Sequence, residues 1–157
     1  MPHPSAADRD QIEIASKNFT VSEWDCRDGT PVPDVLRADL AEYIQRNIQP
    51  IRTFFDAPLH VTSGYRHPEY NRQIGGARWS FHQYGHVEKY RGTIELEANV
   101  SFRAGQFATD FFVQGVTPVQ VRQVVMGLIR IGVLEPGGVG LYDKFVHYDN
   151  RGTLVTF

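Results

Sequence analysis

Residues 93 to 103 alternate apolar and polar without a break. Ile94, Leu96, Ala98, Val100 and Phe102 share one face, and Glu95, Glu97, Asn99, Ser101 and Arg103 share the other. A period of two marks a strand with one covered face. Elsewhere the period is helical. Val35, Leu36, Leu40, Tyr43, Ile44 and Ile48 recur at three- and four-residue spacing, which predicts a helix with one apolar face. Asp34 reads as its N-cap, and Pro50 ends or kinks it, with residues 51 to 55 continuing as a second piece. Thr117 and Pro118 open another helix as N-cap and first position. Its apolar positions are Val121, Val124, Val125, Leu128 and Ile129, and it stops at Gly132. Short apolar runs at 59–62, 106–113, 139–142, 145–148 and 154–157 predict strands. Pro68, Gly75 and Gly76 mark 67–79 as a loop with one helical turn. Residues 1–17 are polar with early prolines and read as a flexible tail. Phe19 and Trp24 then pin the chain to the core. A helix, strands, a second helix and more strands make an α+β fold, with a central, largely antiparallel sheet flanked by helices.

The 157 residues suit one domain, taken as 18–157 after the tail. Hydrophobic residues make up 41% and charged residues 22%, an ordinary balance that supports a real core. A net charge of -2 does not suggest a nucleic-acid binder. The first residues have neither a basic start nor an apolar run, so neither a secretory signal nor a membrane anchor is expected. The protein is expected in the cytoplasm as synthesised, and as a monomer. Cys26 is the single cysteine, so intramolecular disulfides are excluded. It reads as a small buried hydrophobe rather than as a ligand or reactive thiol.

Three stretches carry candidate chemistry: 80–85 with His82, 108–110 with Asp110, and 145–149 with His147 and Asp149. Two neutral imidazoles and one carboxylate suffice for a catalytic zinc with an open fourth position. A lone histidine in a strand is more often a hydrogen-bonded structural residue, and His3, His60 and His67 are read that way. His147 lies between Val146 and Tyr148, and Asp110 lies between Thr109 and Phe111. An ionisable group in an apolar strand needs a partner, and a metal is one. A rival pairing uses His82 and His86, four apart. Gln83 stands where a zincin helix needs glutamate, and Gly85 disfavours the helix itself.

The motifs SGYR at 63–66, Asn71, GGA at 75–77, SxHxxG at 80–85, AxD at 108–110 and GGVGLYDKFVHYDNRG at 137–152 together resemble the zinc D-Ala-D-Ala carboxypeptidase family. These murein peptidases share the hedgehog/DD-peptidase fold. The resemblance runs from Phe19 onward. It implies Zn2+ held by His82, Asp110 and His147. It implies that Arg66 binds a substrate carboxylate or steadies the oxyanion, that Ser80 and Asn71 line the cleft, and that Asp149 orients a ligand or the loop of Arg151. The implied activity is hydrolysis of peptide bonds in peptidoglycan stem peptides or cross-links, as a carboxypeptidase or endopeptidase. A phage-type lysin released by a holin, or a cytoplasmic murein-recycling enzyme, would fit the absent signal, and the compact form favours the phage type.

The chain departs from the family pattern twice. Twenty-two residues, 86–107, separate Gly85 from Ala108, where the two motifs normally run almost together. This insert is read as a hairpin or flap beside the cleft. Many relatives carry a glutamate general base three residues before the last histidine, and here that residue is Lys144. Asp143, Glu88 and Tyr142 are substitute candidates, and the base stays unassigned. Two further readings remain open. One is a zinc-stabilised wall-binding or phage structural module without turnover. The other is a metal-free protein with the three groups in a buried polar cluster.

Overall fold

A computed structural model describes residues 13–84, 86–89, 93–96 and 106–157, with backbone alone for 86–89 and 93–96. Nine strands and four α-helices are described. A short antiparallel pair, β1 (Ile14–Ser16) and β2 (Phe19–Thr20), opens the chain. Residues 14–16 are thus strand rather than tail: Ala15 is buried and Ser16 Oγ donates to Gln49 Oε1 at 2.7 Å. A 3-10 turn at Val21–Trp24 follows, with Trp24 fully buried and Phe19 edge-on to it at 5.6 Å.

Helix α1 (Asp34–Tyr43) passes through a π turn at Ile44–Ile48 into α2 (Gln49–Phe55). Asp34 is the first helical residue, and Pro33 holds the cap position. Pro50 neither ends nor breaks this run. Proline lacks the N–H that an α-helix needs and crowds the carbonyl four residues back. The wider π turn just before it absorbs both defects. Asn47, fully buried in that turn, has partners on both sides of its amide. It donates to Glu135 at 2.9 Å and accepts from the Glu135 N–H at 2.9 Å and the Tyr148 hydroxyl at 3.0 Å.

The main sheet orders β3 (Leu59–Ser63), β6 (Ala108–Val113), β8 (Val146–Asp149), β7 (Gly138–Leu141) and β9 (Val155–Thr156). All neighbours are antiparallel except β7 with β9, which run parallel. The fold is therefore α+β with a mixed, largely antiparallel sheet. Arg27 donates to the carbonyls of Val61 and Thr62 on edge strand β3, at 2.6 and 2.9 Å, covering groups that an edge strand otherwise exposes. Helix α3 (Pro68–Gln73) leads towards the site, and α4 (Pro118–Arg130) packs on β6, β7 and β8. Thr117 caps α4, its hydroxyl accepting from the Gln120 N–H at 3.3 Å. No helix among the described residues is long and apolar enough to cross a membrane.

The described part of the alternating stretch read at 93–103 lies outside this sheet. Strand β5 (Thr93–Leu96) pairs antiparallel with β4 (His86–Lys89) in a ribbon of its own, and 97–105 lie outside the described residues.

The pleat of the main sheet separates core from site. Thr109, Phe111 and Val113 on β6, Val146 and Tyr148 on β8, and Val139 on β7 are all buried. Thr109 and Tyr148 meet Tyr43 from the helical layer, at 3.0 Å to the Thr109 hydroxyl and 6.1 Å between stacked rings. Residues one step out of phase, Asp110, His147 and Asp149, project from the opposite face.

Candidate metal centre

Asp110 and His147 are register partners on adjacent antiparallel strands, so their side chains rise side by side. His82 comes from a separate 3-10 turn, Phe81–Gln83. That turn starts at Ser80, whose Oγ accepts from the His82 N–H at 3.2 Å, and ends at Tyr84 in the left-handed region with φ 55°. The His82 carbonyl accepts from the Arg66 N–H at 2.7 Å, and the Tyr84 hydroxyl donates to the Ala108 carbonyl at 3.0 Å. The turn is thereby bonded to the segment after β3 and to the start of β6.

One donor atom from each of His82, Asp110 and His147 lies within 4.8 Å of the others, and all three residues are buried. Asp110 Oδ1 is 2.9 Å from His147 Nδ1 and 3.1 Å from His82 Nε2. The two imidazole nitrogens are 3.3 Å apart. The remaining ring nitrogens are occupied. His82 Nδ1 donates to the Gly64 carbonyl at 2.7 Å, and His147 Nε2 donates to Asp149 Oδ2 at 2.7 Å. These outer bonds select the tautomers in which His82 Nε2 and His147 Nδ1 turn their lone pairs to the common point. Two imidazoles and a carboxylate, each oriented from behind, are a donor set that fits zinc.

Charge is arranged to the same end. Burial favours the neutral form of His82 and lowers its pKa, although Asp110 pulls the other way. Burial also opposes charge on His147, but its bonds to Asp110 and Asp149 outweigh this and raise its pKa. Asp110 is held well below the usual carboxylate range, because the two imidazoles overcome the opposing effect of burial. Asp149 is held low as well, its bonds to Arg151 and His147 overcoming burial. A proton on His147 therefore competes with a metal for Nδ1. Zinc affinity is expected to fall as the solution is acidified from about pH 8 to about pH 6, by at most about tenfold per unit. Chelator competition across that range checks this. An affinity independent of pH would contradict it.

The centre forms one wall of a cleft of about 400 Å³, also lined by Arg66, Trp79, Phe81, Tyr142, Phe145 and Arg151. Arg66 donates to Asp110 Oδ2 at 3.2 Å and to the Ser63 hydroxyl at 3.1 Å. Asn71, expected in the cleft wall, is instead buried behind Arg66. Its Oδ1 accepts from Arg66 Nη1 at 3.5 Å, and its amide donates to the Ala77 carbonyl at 2.9 Å. Gly76 has to be small there, because a Cβ would overlap the Asn71 amide. Ser80 lines the cleft while its oxygen caps the turn. Tyr142 stands at the rim, stacked on Phe145 at 4.5 Å. Asp143 is exposed and does not line the cleft. The side chains of Glu88 and His86 lie outside the described residues. Among the described lining residues, Asp110 is the one carboxylate.

The profile of the peptidase M15 family matches residues 17–149. The chain belongs to the peptidase M15 family. No curated protein and no solved structure matches it. M15 peptidases are zinc-dependent, and this member has a buried His-Asp-His group suited to the ion. Bound zinc supplies a Lewis acid that polarises a scissile carbonyl and activates water. The M15 chain contributes the rest: fixed tautomers on both imidazoles, a cation on the cleft wall at Arg66, and an aromatic rim.

Sequence reasoning passed over the part played by Phe81, Phe157 and the Gly64 carbonyl. Phe81 precedes His82 directly. The Phe157 ring lies 5.3 Å from that of His147, and no local pattern foretells that packing.

Proposed function

We propose that this M15 peptidase hydrolyses an amide bond next to a D-amino acid in the stem peptides or cross-links of bacterial peptidoglycan. The observation that carries the reading is the position of Arg66. Its guanidinium lines the cleft while anchored to Asp110 and Ser63, so a planar, permanently charged fork sits beside the metal ligands. Such a group can receive the carboxylate of a peptide end or the oxygen of an attacked carbonyl. The reading places substrate between Arg66 and the aromatic rim of Tyr142 and Phe145.

A second reading is favoured by one specific feature. Among the described residues, the cleft offers no carboxylate free of ligand duty, and Lys144 is exposed where many relatives place their glutamate. A protein that binds zinc and wall peptide without turnover would look like this. Incubating the zinc-loaded protein with purified murein and analysing the soluble fragments by mass spectrometry separates the two. New peptide ends next to D-alanine are the expected result. Saturable binding without released ends would overturn the enzymatic reading in favour of the module.

A further inference from the structure

We infer that Arg151 is a positioning residue for the metal centre, acting through Asp149 on His147 while its guanidinium clamps the turn that carries His82. The inference concerns how the ligands are held, and it stands whichever peptide the cleft takes.

Asp149 is fully buried, and its two oxygens accept five hydrogen bonds. Oδ1 receives the Gly138 N–H at 3.0 Å, the Arg151 N–H at 3.2 Å and Arg151 Nε at 2.8 Å. Oδ2 receives His147 Nε2 at 2.7 Å and Arg151 Nη2 at 2.7 Å. The guanidinium therefore grips the carboxylate with two parallel bonds, the geometry that best fixes a carboxylate plane. Fixing that plane fixes the ring of His147, and hence the direction of its Nδ1 lone pair.

The other side of Arg151 faces aromatic rings. Its Cζ lies 4.5 Å from the ring of Phe81 and 5.5 Å from that of Phe157. Phe81 adjoins His82, and Phe157 also touches His147. A planar cation between such faces is attracted to both. One side chain thus joins the segments bearing both imidazole ligands, which are far apart in sequence. The sheet makes room for it. A Cβ at Gly138 would lie 2.6 Å from both Arg151 Nη2 and Asp149 Oδ2, so no larger residue fits beneath the pair.

Zinc affinity, read by competition with a chromophoric chelator, tests this without reference to turnover. Arg151→Ala is expected to weaken zinc binding about 10- to 100-fold. Arg151→Lys, which keeps the charge but not the fork, should recover only part of the loss. Arg151→Gln, which keeps a polar side chain but neither the charge nor the fork, should reproduce most of the loss, so the test survives if Arg151→Ala folds poorly. In an Asp149→Ala background, Arg151→Ala should weaken zinc no further through His147, leaving at most the smaller contribution from Phe81. Unchanged zinc affinity in Arg151→Ala, with only a raised KM, would overturn the inference and make Arg151 a substrate contact. An undiminished loss in the Asp149→Ala background would overturn it as well, because Arg151 would then not act through Asp149.

Discussion

Asp110→Ala is expected to abolish zinc binding and reduce peptide hydrolysis to background. Asp110 is the hub of the centre: Oδ1 meets both imidazoles, and Oδ2 meets Arg66. Without it, two neutral nitrogens remain, too few for a closed or catalytic zinc site. Losing an outer partner of a ligand already weakens metal binding by about 10- to 100-fold, so losing a ligand should exceed that. The metal-free protein should also lose about 1–3 kcal/mol, since Arg66, largely buried, is deprived of its carboxylate. Asp110→Asn keeps the shape and an acceptor for Arg66. It is expected to fold, yet still bind zinc far more weakly, because the amide oxygen lacks the charge. Zinc per chain, measured by elemental analysis after gel filtration, reads the outcome. His86→Ala serves as the counterpart and should keep its metal. Full zinc in Asp110→Ala, together with loss in His86→Ala, would move the centre elsewhere.

How far the site was legible follows from how each ligand is placed. Asp110 and His147 lie in short apolar strands where a charge stands out, and strand periodicity puts both on the face opposite Phe111 and Val146. Their adjacency is a matter of register between β6 and β8, which no single strand records. The motif resemblance supplied it. His82 sits in a turn, and its part depends on Gly64 and Ser80, both within the quoted motifs. Other features were hidden because distant parts of the chain decide them. Asn71 looks like a cleft residue in sequence, but the close pass of Gly76 and the demands of Arg66 turn it inward. The strongest alternation, at 93–103, marks a strand but not its partner: its described part, β5, pairs with β4 in a separate ribbon, since periodicity reports a covered face and not which sheet covers it. Pro50 signalled an end or a kink with a second piece beyond it; the second piece is there, reached through a π turn that keeps the run continuous.

The motif around Gly64 yields the second large effect: Gly64→Ala should destabilise the fold and loosen the metal together. The backbone conformation there is open to alanine, for Gly64 is not among the residues with positive φ. Space is the obstacle. An added Cβ would lie 2.6 Å from Trp24 Cα and 2.7 Å from both its carbonyl oxygen and its Cδ1. Backbone atoms cannot swing aside as a flexible side-chain end can. Trp24 is also held in place: it is fully buried, its indole donates to the Thr109 hydroxyl at 2.9 Å, and its carbonyl accepts from the Tyr65 N–H at 2.7 Å. The strain must then spread either into the core or into the strand exit. Overpacking of this kind costs about 2–3 kcal/mol. The strand exit matters because the Gly64 carbonyl is the group that orients His82. Zinc affinity should fall by about tenfold in step with stability. Gly75→Ala supplies the contrast. Its φ of 72° penalises a side chain, but nothing lies within 4 Å, so about 1 kcal/mol of backbone strain is expected with no change in metal affinity. Urea denaturation of the zinc-free proteins, paired with chelator competition on the zinc-loaded ones, distinguishes the cases. A Gly64→Ala protein as stable as its parent, with unaltered zinc affinity, would mean that the SGYR turn can part from Trp24 freely, and the coupling between core and centre argued from this close approach would be wrong.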